Sequence, residues 1–409
     1  MATPQSVIHG STRPRDVVLL SSLLGLAMLT LWELPLQAAR HGGIAFVGVW
    51  LLGLLVLALP LLLLEFMLGK RSRRSPLEGF AFLTREADAR RFWRAAAWGS
   101  SLAAVLALAA VALVAGGYIN YLVREAGLGS AAVNEVSSTG PALPLGTGSL
   151  LILAAGLSLL APAIRSVLLT GVLALVLVLL AIAALGGLGM AELLYSATPL
   201  DAGDWRAAFQ LSLLSLGGGL GVLWVGGMRL PREAALGRLA LGLIGLQLLL
   251  GLLLMLALAP FVAVQAINAG SGLQIVPTGP SVWLLLVALL LIALLALKLI
   301  AEPVLLRLTE KGLQRLPAVV LVFASGAVLA EAIWFFGHKD GVQSLLTVLG
   351  ALLLLVLLGQ SIFTGWAMKI SHARKELALP GEAIYNVWRV AVRLVVPLAI
   401  LWVLTLYLP

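Results

Sequence analysis

With 409 residues, 61% of them hydrophobic and 11% charged, the chain carries far more apolar surface than one soluble core can use, which excludes a soluble enzyme. It has no cysteine, which excludes disulfides, thiolate metal sites and cysteine nucleophiles and leaves the redox compartment open; His9, His41, His338 and His372 fall in different predicted loops, and no metal centre or cofactor is expected. The net charge of +9 lies in short loops between apolar runs, which points to membrane topology and away from nucleic acid.

Apolar runs of about 18 residues or more, long enough for a hydrocarbon core of ~30 Å, recur from Val17 onward. In chain order they predict helices over residues 17–36, 44–68, 95–123, 149–163, 166–188, 207–228, 236–264, 282–306, 317–336, 342–368 and 384–408. These are eleven spans of an all-α polytopic membrane protein, one transmembrane domain over residues 1–409. The polar segment before Val17 lacks a clear cleavage pattern and is expected to stay in the mature protein. With the N-terminus cytoplasmic, twenty of the 27 Lys and Arg fall in inner loops, and only Arg40, Arg124, Arg206 and Lys339 fall outside. That bias places the N-terminus inside and the C-terminus outside.

Ionisable residues within spans are costly unless paired or hydrated, so they mark candidate sites. The first span carries Glu33 ahead of Pro35, and the second carries Glu65 near its inner end. The sixth reads Ser215-Leu-Gly217-Gly218-Gly219-Leu-Gly221, a run that predicts a helix broken between about Ser215 and Gly221, with its freed backbone groups available to a ligand. Close helix packing through Gly217 and Gly221 is the alternative. A faint echo of the sixth span in the first, Trp32 against Trp224 and Pro35 against Pro231, suggests repeats over residues 17–188 and 207–368 with an extra helix at 384–408. In the eighth span Lys298 and Glu302 stand one turn apart and could pair; Lys298 either reaches for the headgroups or stays buried as a functional or structural cation.

The stretch from Leu31 to Phe46, in which Pro35 is followed by Gly42-Gly43-Ile44-Ala45-Phe46, resembles the signature of the neurotransmitter:sodium symporter family. There the first helix ends in an Arg-Phe-Pro turn and the second opens on Gly-Gly-Gly-Ala-Phe. The likeness continues through Leu59-Pro60-Leu61, Glu65, Leu68 and Gly69, then Ser215-Leu216-Gly217, Glu302-Pro303, Asp340 through Gly350, and Ile384-Tyr385 through Pro397, collinear over nearly the whole chain. It implies inverted five-helix repeats, broken first and sixth helices, alternating access, a bacterial-type inner membrane and a small amino acid or amine as solute. It also implies that Glu65 accepts from freed backbone N–H groups of the first or sixth helix.

Departures from the family pattern matter as much. Thr30 stands where the family has a sodium-binding Asn, and Ala27, Met28 and Leu29 replace the glycines of the first-helix break. The outer-gate Arg and its acidic partner become Glu33 and Gln343. Leu295 and Ala296 stand for the Thr-Ser pair of the second sodium site, and Leu213, Gly245 and Val111 for the sixth-helix Thr, the seventh-helix Asn and the third-helix Tyr. Aliphatic side chains do not suit a hard cation, so both sodium sites read as lost and a proton is the coupling ion left open. The implied solute pocket takes Gly25, Ala27 and Met28 from the first helix, Val111 from the third, and Ser215, Gly217 and Gly219 from the sixth, with Thr30, Glu33, Glu65, Lys298, Glu302 and Gln343 in coupling or gating. The first helix is expected to be less disrupted than in the family, since Ala27 to Leu29 form helix well. Two functions remain: a secondary transporter with changed coupling, or a transport-inactive homologue acting as a partner subunit or sensor.

Overall fold

In an apolar solvent every backbone N–H and C=O must be satisfied within its own segment, and uninterrupted Leu, Ala and Val runs do this as helices. The computed structural model describes residues 13–125, 152, 155, 164–185, 199–263, 280–336 and 341–407, and the described elements are helical. They are α1 (Pro14–Leu31), α2 (Leu34–Arg40), α3 (Ile44–Ser72), α4 (Pro76–Glu86), α5 (Ala95–Glu125) and α6 (Ile164–Leu185). After these come α7 (Ala202–Leu214), α8 (Val222–Arg229), α9 (Leu236–Ala263), α10 (Pro280–Glu310), α11 (Arg315–Phe336), α12 (Gly341–Ala367), α13 (Ile370–Leu377) and α14 (Glu382–Tyr407).

Among the described residues, eight helices are long and apolar enough to cross a membrane. They fall on the predicted first, second, third and seventh to eleventh spans. The fifth is present as α6, the sixth is divided into α7 and α8, and the fourth, 149–163, lies almost wholly outside the described residues, as do the loop segment 126–148 and residues 337–340.

Three differences from the sequence expectation have local causes. The predicted first span, 17–36, is two helices: Glu33 takes a left-handed conformation (φ 51°), which ends α1 and starts α2, with Pro35 in its first turn where a missing N–H costs nothing. Residues 70–94, read as a loop, contain the amphipathic α4 and a 3₁₀ turn, Arg91–Arg94. The segment after residue 368 forms α13. Three long helices also contain π turns, at Leu54–Ala58, Phe363–Ala367 and Ala391–Val395.

Lipid gives helices little hydrophobic reason to associate, so close backbone approach carries the packing. At the α3–α8 crossing a Cβ on Gly69 would collide with the Trp224 carbonyl, and one on Gly227 with the Phe66 carbonyl. Helix α1 packs between α9 and α10, and α10 packs on α5 and α6. Helix α1 also packs on α8, which sets it beside the broken α7–α8 segment.

Candidate functional site

The chain between α7 and α8, Ser215–Gly221, is not helical, as the glycine run predicts. Gly217, Gly219 and Gly221 have φ of 69°, 82° and 81°, a region that side chains disfavour, so the break depends on these glycines. A continuous helix would bond the Ser215 carbonyl to the Gly219 N–H. Here the two halves part. The Gly219 N–H donates to Glu65 Oε1 at 3.0 Å, and the Ser215 carbonyl accepts from Gln247 Nε2 at 3.0 Å. Glu65 and Gln247 are completely buried, and Gln360 lies beside Glu65.

Helix α1 runs unbroken through Ala27, Met28 and Leu29 to Leu31, and its interruption falls at Trp32 and Glu33. Thr30 Oγ1 donates to the Ala27 carbonyl at 2.7 Å, which orients the hydroxyl and leaves its oxygen lone pairs as acceptors. Ala27, Thr30 and Val111 line a cavity of about 20 Å³ with Leu289, Ala293 and Ala296, which is room for about one water molecule. Met28 is buried in the core. Gly25 is turned to Gln247: a Cβ there would collide with the amide oxygen. The seventh-span residue facing the break is thus Gln247, while Gly245 is exposed with nothing near it. Ser215, Gly217 and Gly219 gather around Glu65, Gln247 and Leu24, separate from the residues of the Ala27 cavity.

The charged residues of α10 take a different arrangement from the intrahelical pair that their spacing allows. Glu302, 2% exposed, forms an ion pair with Arg229 at the end of α8 and not with Lys298. Arg229 had the look of an inner-loop cation; the fold brings it across to a carboxylate 73 residues on. Lys298 is 9% exposed, which does not fit a side chain lying among headgroups, and among the described residues its ammonium makes no hydrogen bond or ion pair. A second cavity of about 20 Å³ adjoins the Arg229–Glu302 pair, with Ser21 of α1 on its wall.

At the opposite end, no hydrogen bond joins Glu33 and Gln343 among the described residues. Gln343 is exposed at the start of α12. His41 Nδ1 contacts Asp204 Oδ1 at 2.7 Å, tying the turn after α2 to the start of α7. Burial raises the Asp204 carboxyl, but the Asp201 N–H and His41 outweigh it and hold the carboxyl below its usual range. Nothing in the sequence pattern had marked His41, Asp204, Gln247 or Arg229; each acts through a partner distant in the chain. Among the described residues no cluster of three His, Asp or Glu is placed to hold a metal.

A broken helix packed against a helix that is itself interrupted, within a bundle of membrane-length helices, marks a multi-pass membrane protein. The crystal structure of MhsT in complex with L-phenylalanine matches the chain with a TM-score of 0.79 and 21% identity, covering 97% of this chain and 99% of that one. The chain therefore has the fold of MhsT, a neurotransmitter:sodium symporter homologue. No family model matches it, and no curated protein matches it by sequence.

Proposed function

We propose that the chain is a secondary active transporter of a small organic solute, an amino acid or amine, working by alternating access between two inverted repeats and performing no chemistry on its cargo. The observation that carries this reading is the α7–α8 break, with its freed Gly219 N–H held by a buried carboxylate inside the bundle. A buried charge in a membrane protein is retained where it serves a site, and irregular backbone at that depth serves one too. The family position of Glu65 supports the same role. With the N-terminus cytoplasmic, the Arg229–Glu302 pair closes the inner end, and α1 and α8 must part from α10 there to open it.

Sodium has few ligands in this arrangement. Leu295 and Ala296 offer no side-chain oxygen, so of these positions the Thr30 hydroxyl alone has a side-chain oxygen for a cation. Lys298, buried and left without Glu302 as a partner, is the candidate for the missing charge. Solute counterflow in liposomes across a panel of amino acids and amines tests the reading. Uptake should persist when sodium is replaced by potassium or choline, depend on pH, and lose that dependence with Lys298→Met. Sodium-stimulated uptake would overturn the coupling assignment. A folded protein that takes up nothing in the panel would favour the partner-subunit or sensor reading.

A further inference from the structure

We propose that Gln247 is a positioning residue that holds the α7–α8 break at the Ser215 carbonyl from within the chain, so that this carbonyl needs no bound cation. The proposal concerns how the break is held and rests on the transporter reading only for the purpose of the break.

Breaking a helix at Ser215–Gly221 peels apart the bond that Ser215 C=O and Gly219 N–H would share. The donor half goes to the Glu65 carboxylate on α3, and the acceptor half goes to the Gln247 amide on α9, both at 3.0 Å. The helical bond lost between these two residues is thereby replaced by two side-chain bonds of opposite sense, from two different helices. A freed carbonyl in an apolar interior needs an N–H donor, a water or a cation. The Gln247 Nε2–H supplies the first. Its other end is just as confined, because Oε1 is buried and makes no hydrogen bond among the described residues.

The amide fits there because Gly25 of α1 lacks a side chain, and a Cβ at that position would collide with Oε1. Gln247 therefore touches both interrupted helices. A shift of α1 at Gly25 displaces the amide, and displacing the amide releases the Ser215 carbonyl. This links the position of the first helix to the state of the break through one side chain.

Hydrogen exchange of the Ser215–Gly221 amides, measured on the full chain in lipid nanodiscs without solute, tests this directly. Wild-type protection should agree within about twofold in sodium, potassium and choline chloride, since the donor is part of the chain. Gln247→Met, similar in length but without the N–H, should exchange about tenfold faster at these amides, a change of ~1.4 kcal/mol. Gly25→Ala, which leaves the amide intact but takes its room, should do the same. Gln247→Asn, one methylene shorter, serves if the Met variant does not fold, and should also lose protection. Wild-type protection that rises severalfold with sodium would overturn the proposal, as would unchanged protection in the folded Met or Asn variant. No solute or uptake enters the measurement, so a failed counterflow experiment with this exchange pattern intact would sink the transporter reading alone.

Discussion

Glu65 is placed where one carboxylate oxygen does the work of a missing helical carbonyl, accepting the Gly219 N–H at 3.0 Å in a fully buried setting. Glu65→Gln keeps an oxygen that can accept, whereas Glu65→Ala leaves the N–H unpaired at a cost of ~1 to 3 kcal/mol. The Gln variant should therefore keep most of the expression and thermal stability of the wild type, and the Ala variant should lose both, measured by size-exclusion of detergent-solubilised protein after heating. Equal behaviour of the two variants would remove Glu65 from this role. Asp204 offers a residue-scale test with a sign. Its carboxyl is held below the ordinary value of about 3.9, so its contact with His41 contributes above that pH and is lost as pH falls through the folded value. Asp204→Asn should lower the melting temperature at pH 7 and erase the extra loss of stability that the wild type shows below about pH 4, both read from thermal melts across pH.

Between elements, the α3–α8 crossing makes a rigid pair from two glycines. At Gly69 and Gly227 the obstructing atoms are backbone carbonyls, which cannot swing aside as a side chain can. Gly69→Ala and Gly227→Ala should each destabilise by about 1 to 3 kcal/mol, typical of overpacking, while Gly48→Ala, on the same α3 but with nothing near its Cβ, should be neutral in the same melts. The glycine run of the sixth span could be read in advance because repeated Gly both weakens a helix and permits positive φ, and Glu65 because a carboxylate in an apolar span always calls for a partner. Gln247 could not be read: one amide in a Leu-rich helix is unremarkable until its partner, 32 residues away, is brought beside it. The partner of Glu302 could not be read for the same reason, since helical spacing reports neighbours along one element and Arg229 comes from another. The interruption of the first span moved to Glu33 because the helix formers Ala27 to Leu29 carry α1 past the point where the family's glycines would stop it.

For the molecule as a whole, the proposed alternating access requires that the two ends of the bundle open in turn, and the orientation expected from the charge bias puts those ends on opposite faces of the membrane. The chain contains no cysteine, so single substitutions report without background. Lys311→Cys and Lys375→Cys should label only from the cytoplasmic side, and Asp201→Cys and Thr405→Cys only from the outside, since all four positions are exposed. Ser21→Cys then reports on opening. Ser21 is 3% exposed and sits on the cavity beside the Arg229–Glu302 pair, so a thiol there should react slowly while that end is closed. Removing one partner would strand a buried charge and destabilise by about 3 to 5 kcal/mol, confusing opening with unfolding. Replacing both, Arg229→Met with Glu302→Met, leaves neither member of the pair as a lone buried charge and removes the tie between α8 and α10, together with the attraction between Glu302 and Arg315. In that background labelling of Ser21→Cys from the cytoplasmic side should rise severalfold while Thr405→Cys labels as before, because one end has been unlocked and the outer exposed position has not moved. An unchanged rate at Ser21→Cys would mean that the ion pair braces the fold without gating it, and a rise at both positions would mean that the variant has loosened throughout.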